Sequence, residues 1–164
     1  MTREYYPIAV KLKDKIIIVV GGGKVAERKV DSLLEAGGKV RLISPDATPG
    51  LNQLSEAGRI EWLRKRFGSH DMDSADLIVA STSDSAVNKR IRAWAKKHKV
   101  LINVVDQASL SDFISPAVLR AGKAIVAVYT DARDPVLSRD LKNFLKENWD
   151  VFLSYRRRLQ NRSS

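Results

Sequence analysis

The sequence predicts an α/β fold, a parallel sheet with helices on both faces followed by a short hairpin-plus-helix dimerisation segment. Three observations carry this prediction. Short apolar runs alternate with amphipathic stretches from Ile16 to Val105. The glycines Gly21, Gly22 and Gly23 join the first run to the first helix. The rhythm then breaks after Asp106. Uninterrupted short apolar runs suit strands that are buried on both faces, and the stretches between them supply the covering helices.

Taken in order, Tyr5, Tyr6 and Pro7 with Ile8 to Val10 form an apolar lead-in, an edge strand or an arm over the first strand. The first strand, Ile16 to Val20, is cut off by the glycines. Lys24 to Lys29 then follow as helix formers with no breaker. Val25, Val30, Leu33 and Leu34 make one stripe of this helix until Gly37-Gly38 stops it. Lys39 to Ser44 gives the second strand, Leu51 to Ala57 a short helix, and Ile60 to Leu63 the third strand. A linker from Gly68 to Asp73 leads to the fourth strand, Asp76 to Ala80. Ser81-Thr82-Ser83-Asp84 caps a long helix from Ser85 to Lys97, and Val100 to Val105 is the fifth strand. Ile114 to Arg120 and Lys123 to Thr130 read as a hairpin around Ala121-Gly122. Asp134-Pro135 starts one long amphipathic helix, on which Leu137, Leu141, Phe144, Leu145, Phe152, Tyr155 and Leu159 recur at helical spacing. A homodimer interface is the natural sink for that stripe, with packing on the sheet of the same chain as the alternative. The expected division is residues 1–110 as a nucleotide-binding domain and 111–164 as the hairpin and long helix.

The spacing Gly21-x-Gly23-x-x-Ala26 is the dinucleotide fingerprint of a Rossmann-type domain in its Gly/Ala form. Gly21 allows the turn, Gly23 lets a pyrophosphate approach the backbone, and Ala26 lets the helix sit close on the sheet. The helix N-terminus, with Lys24 and Val25, would face the phosphates of NAD. The competing reading is a strand-to-helix turn of any α/β protein. About 20 residues beyond the glycines an acid would bind the ribose 2′-hydroxyl, and here Ser44-Pro45-Asp46 stands in its place. The adenosine end is therefore held by that turn, through its backbone or Asp46, and the sequence does not separate NAD from NADP. Ligands of such sheets bind at the carboxyl ends of the strands, where Gly21, Ser44, Thr82 and Asp106 fall.

The 164 residues suffice for one main domain with a short appendage. Without cysteine there is no disulfide framework and no thiolate metal site. The N-terminal stretch has no long apolar run and no small-residue cleavage site, and no run approaches membrane-spanning length, which leads us to expect a cytoplasmic protein without membrane contact. A net charge of +10 favours a polyanionic partner, nucleic acid or a small polycarboxylate. Much of it reads as solvated helix face, and the cations are not interleaved with aromatics as a base-stacking groove would need, so no nucleic-acid partner is expected. His70 and His98, the only histidines, lie in a linker and at a helix end; no metal site is expected.

The order of these features resembles the precorrin-2 dehydrogenase module of siroheme synthases. The resemblance runs from Tyr6-Pro7-Ile8 through Gly21 to Lys29, Leu33 to Gly37 and Ala80-Ser81-Thr82, to Asn103-Val104-Val105-Asp106, Asp112-Phe113-Ile114 and Pro116. An ordinary Rossmann domain has no reason to carry both of the last two segments. The resemblance implies an NAD-dependent oxidation of precorrin-2 to sirohydrochlorin, on the route to siroheme. The eight carboxylates of that substrate would give the basic surface a purpose. It also implies that Asp106 acts as acid, base or proton relay, with a cap on the next turn as the alternative. Asn103 would hold a cofactor amide or a backbone segment. Some members of the family also insert ferrous iron; this short chain reads as a dehydrogenase first.

Two departures from the family pattern stand out. A Ser/Thr-Gly-Gly turn appears here as Thr130-Asp131-Ala132-Arg133, and a cysteine before Asp-Phe appears as Ser111. Thr130 keeps the hydroxyl, and Arg133 would clamp a substrate carboxylate, simple surface placement being the alternative. The rival from another class is a non-catalytic NAD-sensing regulatory dimer, which would explain the glycine turn and the apolar helix but not Asp106 with the Asp112 to Pro116 segment.

Overall fold

The computed structural model describes residues 5–105 and 107–161; Asp106 lies outside them. The chain divides into two compact units, Pro7–Phe113 and a second that joins the N-terminal residues through Tyr6 with the segment from Ile114 onward.

In the first unit β1 (Ile16–Val20), β2 (Lys39–Ile43), β3 (Glu61–Leu63), β4 (Leu77–Ala80) and β5 (Leu101–Val104) form one parallel sheet in the order β3-β2-β1-β4-β5. The crossover helices are α1 (Lys24–Glu35), α2 (Pro49–Glu56) and α3 (Ser85–His98). Because alternate side chains of a strand point to opposite faces, β1 feeds two cores. Ile17 and Val19 pack with Ala26, Val30 and Leu51 of α1 and α2. Ile18 and Val20 pack with Met72 and with Ile91 and Ala95 of α3. The strand order reverses between β1 and β4, which makes their carboxyl ends the switch point of the sheet.

The lead-in is not an edge strand: residues 7–12 pair with no strand, Ile8 and Val10 are exposed, and only Leu12 packs against the core. Pro7 has no N–H to give a ladder.

In the second unit β6 (Ala117–Ala121) and β7 (Ala124–Val128) form the expected antiparallel hairpin, closed by Ala121 opposite Ala124. The helical part corrects the sequence reading. Instead of one long helix there are two, α4 (Pro135–Glu147) and α5 (Trp149–Gln160), parted at Asn148. The backbone of Asn148 leaves helical geometry at φ −102°, ψ 15°, and its side-chain amide donates to the Phe144 carbonyl at 2.9 Å. A short polar side chain that competes for the helix's own acceptor is a local stop, which apolar periodicity does not register. α4 packs on both hairpin strands, and α5 buries none of its residues. Among the described residues no helix is long and apolar enough to cross a membrane.

Candidate functional site

The glycine turn after β1 is wedged between the ends of two neighbouring strands. Gly21 sits at φ +109°, and a Cβ there would lie 2.6 Å from the Ser81 carbonyl oxygen beyond β4. Its N–H donates to Ile43 at the end of β2 at 3.0 Å. The Gly22 carbonyl accepts from Thr48 N–H at 3.0 Å, and a Cβ on Gly22 would collide with the Asp46 carbonyl oxygen. Gly23 differs from both, because a Cβ there would meet nothing within 4 Å. It is the N-cap of α1, with no side-chain cap, and the first bond of the helix runs from Glu27 N–H to the Gly23 carbonyl at 3.0 Å. The N–H groups of Lys24, Val25 and Ala26 therefore have no acceptor within the helix. Open space beside uncapped N–H groups at a positive dipole end fits a pyrophosphate. Ala26 is fully buried against the sheet.

At the end of β2, Ser44 is buried and its backbone is engaged. Its N–H donates to Leu63 at 3.3 Å, and its carbonyl accepts from the Trp62 indole at 3.0 Å. Pro45 and Asp46 are exposed beyond it. The Arg64 guanidinium lies 4.1 Å over the Trp62 ring and donates to Asn52 at 2.9 Å.

Past β4, the Ser81 N–H and hydroxyl both donate to the Val20 carbonyl, at 2.8 and 3.0 Å, which ties the β4 loop to the glycine turn. Thr82 is bound on two sides by Asn88 of α3: the hydroxyl donates to Asn88 Oδ1 at 3.0 Å, and Asn88 Nδ2 donates to the Thr82 carbonyl at 3.0 Å. Asp84 caps the helix by accepting from Ala86 and Val87 N–H, at 2.9 and 3.1 Å.

β5 is an edge strand, and the chain turns back to cover its outer edge. Asp112 N–H donates to the Ile102 carbonyl at 2.7 Å while its carboxylate accepts from Ile102 N–H at 3.2 Å and from Arg92 at 2.6 Å. The Ser111 hydroxyl accepts from Val104 N–H at 2.8 Å. Groups that would otherwise template another strand are thereby satisfied. Asn103 holds a backbone segment, donating to the Phe113 carbonyl at 3.0 Å; it is 6% exposed, and its Oδ1 has no hydrogen-bond partner. In this conformation that oxygen is enclosed.

In the second unit, the Thr130 hydroxyl is engaged locally, donating to the Asp134 carbonyl at 2.7 Å and lying 2.8 Å from the Ser138 hydroxyl at the start of α4. Asp131 and Ala132 take the left-handed backbone, φ +51° and +58°, so the turn adopts a shape that glycine would take without strain. Arg133 is exposed.

A family model described as NAD(P)-binding matches residues 8–117. The solved structure of SirC, a precorrin-2 dehydrogenase, superposes with a TM-score of 0.77 at 30% identity, over 88% of this chain and 71% of that one. The chain belongs to this precorrin-2 dehydrogenase family. Siroheme synthase 1 of Serratia proteamaculans is 41% identical over 143 residues, and the siroheme synthase of Chromobacterium violaceum 39% over 139. These matches take in 87% and 85% of this chain, which spans 30% of each of those relatives.

Within this family member, sequence reasoning singled out the turn residues but missed their supports. Asn88 was legible in principle, because it is a polar residue on the inward stripe that α3 forms with Ile91 and Ala95. Trp62 carried no such signal; its indole bond to the β2 turn joins residues that are far apart in sequence. Among the described residues no group of three or more His, Cys, Asp or Glu side chains could hold a metal ion.

Proposed function

We propose that this chain is an NAD-dependent dehydrogenase that oxidises precorrin-2 to sirohydrochlorin, acting as a cytoplasmic homodimer. The observation that carries the reading is the open, uncapped N-terminus of α1 at Gly23, at the switch point of a sheet whose family is NAD(P)-binding. Gly21 to Val25 would hold the pyrophosphate through backbone N–H groups, and Ser44 to Asp46 the adenosine ribose. Thr82 lies at the end of β4, beside β1, where the remainder of a dinucleotide would run. NAD, when bound, supplies the acceptor for a hydride from a ring-bridging carbon of the substrate. The chain's own part is to orient the substrate and take the accompanying proton, a role we assign to Asp106. The net charge of +10 suits a substrate with many carboxylates, and Arg133, exposed and cationic, is proposed to meet one of them. Asn103 would act through the Phe113 carbonyl it holds rather than by touching the cofactor. Thr130 would shape the turn before α4.

Homodimerisation is supported by the apolar surface of the second unit. Leu137, Phe144, Phe152 and Tyr155 are all about half exposed in the single chain, and covering the rest of each would contribute about half of the roughly 1.5–3 kcal/mol that full burial of a large apolar side chain gives.

One experiment tests the reading: purified protein, precorrin-2 and NAD, with the absorbance of sirohydrochlorin followed in time and NAD affinity measured by calorimetry. Wild type should turn over. Gly23→Val should stay folded but lose NAD affinity, because its side chain enters the space left for the pyrophosphate. Asp106→Asn should keep NAD affinity and lose about 10²–10⁴ in rate. NAD binding without any turnover would instead identify a nucleotide-sensing dimer, and wild-type NAD affinity in a folded Gly23→Val protein would remove the cofactor site from this turn.

A further inference from the structure

α3 carries two polar side chains one helical turn apart: Asn88 ends on the loop beyond β4 at the sheet's carboxyl edge, and Arg92 on the segment that runs beside Ile102 of β5. Asn88, 2% exposed, directs both ends of its amide to Thr82 beyond β4, one bond to the hydroxyl and one to the carbonyl. Arg92, on the same side of the helix, reaches the Asp112 carboxylate that clasps the free edge of β5. An amide enclosed between Ile91, Ala95 and the sheet costs free energy unless its hydrogen bonds are made, whereas an apolar side chain would fill the same stripe without that cost. The bonds Asn88 makes are both to the loop, so the loop is what its presence explains. The same bonds orient Thr82. Its one hydroxyl proton is directed to Asn88 Oδ1 or the Asp84 carbonyl, and its oxygen also accepts from Asp84 N–H. Toward a ligand, Thr82 is left as an acceptor and selects a donor such as a ribose hydroxyl or a carboxamide NH2.

We propose that Asn88 is a positioning residue, through which α3 sets the β4 loop for the dinucleotide. The proposal rests on the NAD-dependent reading above. Asn88 acts through Thr82, whereas Arg92 bonds to Asp112 beside β5, away from that loop, and serves as a control on the same helix.

The test combines calorimetric NAD affinity, steady-state oxidation of precorrin-2 and thermal midpoints on the full chain. Asn88→Ala should weaken NAD binding about tenfold, the loss expected for two buried hydrogen bonds, with kcat at saturating NAD within about threefold of wild type. Thr82→Val, which removes the acceptor itself with its bonds to Asn88 and Asp84, should weaken NAD at least as much, and Thr82→Ser should restore it. The double variant should be no worse than Thr82→Val alone, since both act on one contact. Arg92→Gln, the control that touches the β5 edge and not the β4 loop, should leave NAD affinity within about threefold. Wild-type NAD affinity in Asn88→Ala beside a lowered midpoint would mean that the amide only supports the fold, and would overturn the proposal, as would additive losses in the double variant. If Asn88→Ala does not fold, the Thr82 pair decides: equal NAD affinity in Thr82→Val and wild type overturns it. A wild-type chain that binds no NAD would remove the cofactor reading beneath it, an outcome distinct from any of these.

Discussion

Ile18 in β1 and Ile125 in β7 are the same residue in the same kind of element, yet Ile18 has no exposed surface and Ile125 is 66% exposed. β1 lies between two layers of helix, so both of its alternating faces are covered from within its own unit. The hairpin is covered on one face only. Leu119 and Val128 are buried, as α4 packs on the two strands, while Val118 and Ile125 are exposed to solvent. The difference separates two uses of apolar surface. The first unit spends it on its own stability, and the second leaves apolar side chains uncovered on the hairpin and, separately, on α4 and α5, where Phe144, Val151 and Phe152 are exposed.

The comparison is broken most directly at its glycines. Gly21→Ala should cost the first unit about 3 kcal/mol or more, since it combines a positive φ with a Cβ 2.6 Å from the Ser81 carbonyl oxygen. Gly122→Ala in the hairpin turn, also at positive φ but with nothing within 4 Å, should cost only about 1–2 kcal/mol. Urea unfolding of the two variants checks the contrast, and equal losses would mean that strain alone, without the collision, sets the cost.

The isoleucine pair comes next. Ile18→Ala should destabilise by about 2–5 kcal/mol, transfer and cavity together. Ile125→Ala should stay within about 0.5 kcal/mol when unfolding is followed at concentrations too low for association. A concentration-dependent loss for Ile125→Ala would sharpen the contrast by showing that the face is covered in an oligomer.

Smaller and opposite in sign is Ala132→Gly. Alanine at φ +58° is strained, so glycine should raise stability by about 0.5–1 kcal/mol after its extra unfolded-state entropy is subtracted. A lowered thermal midpoint would refute the strain.

The smallest effect belongs to pH. Asp76 is held below its ordinary value of 3.8 by the Lys15 ammonium at 2.8 Å and by the Ile16 N–H at 2.8 Å. A carboxylate with a depressed folded pKa contributes its stability above the ordinary value and loses it as pH falls through the folded one. The first unit should therefore weaken progressively below about pH 4, with Asp76→Asn flattening that slope in an acid titration of the midpoint.

Much of the first unit was legible because its signals are local. Apolar runs bounded by glycine, Asp84 at a helix start and Ala26 three residues beyond Gly23 each report a nearby backbone need, and all appear where the pattern placed them. The stop at Asn148 was not legible for a related reason: apolar periodicity continues across it, and its backbone geometry and side-chain bond to Phe144 mark the break.

The sequence by itself determined the strand-helix alternation, the glycine turn and the apolar stripe, since each follows from residue type and spacing along a few turns of chain. Only the tertiary structure decided that Gly22 lies against Asp46, that Asn88 grips Thr82, and that Ser111 and Asp112 cover the edge of β5. Those contacts join residues through a sheet whose order, β3-β2-β1-β4-β5, is not written in any one segment. Hydrogen-bond satisfaction is local in space rather than in sequence, and the supports of the candidate site come into view only once the sheet has brought its loops to one edge.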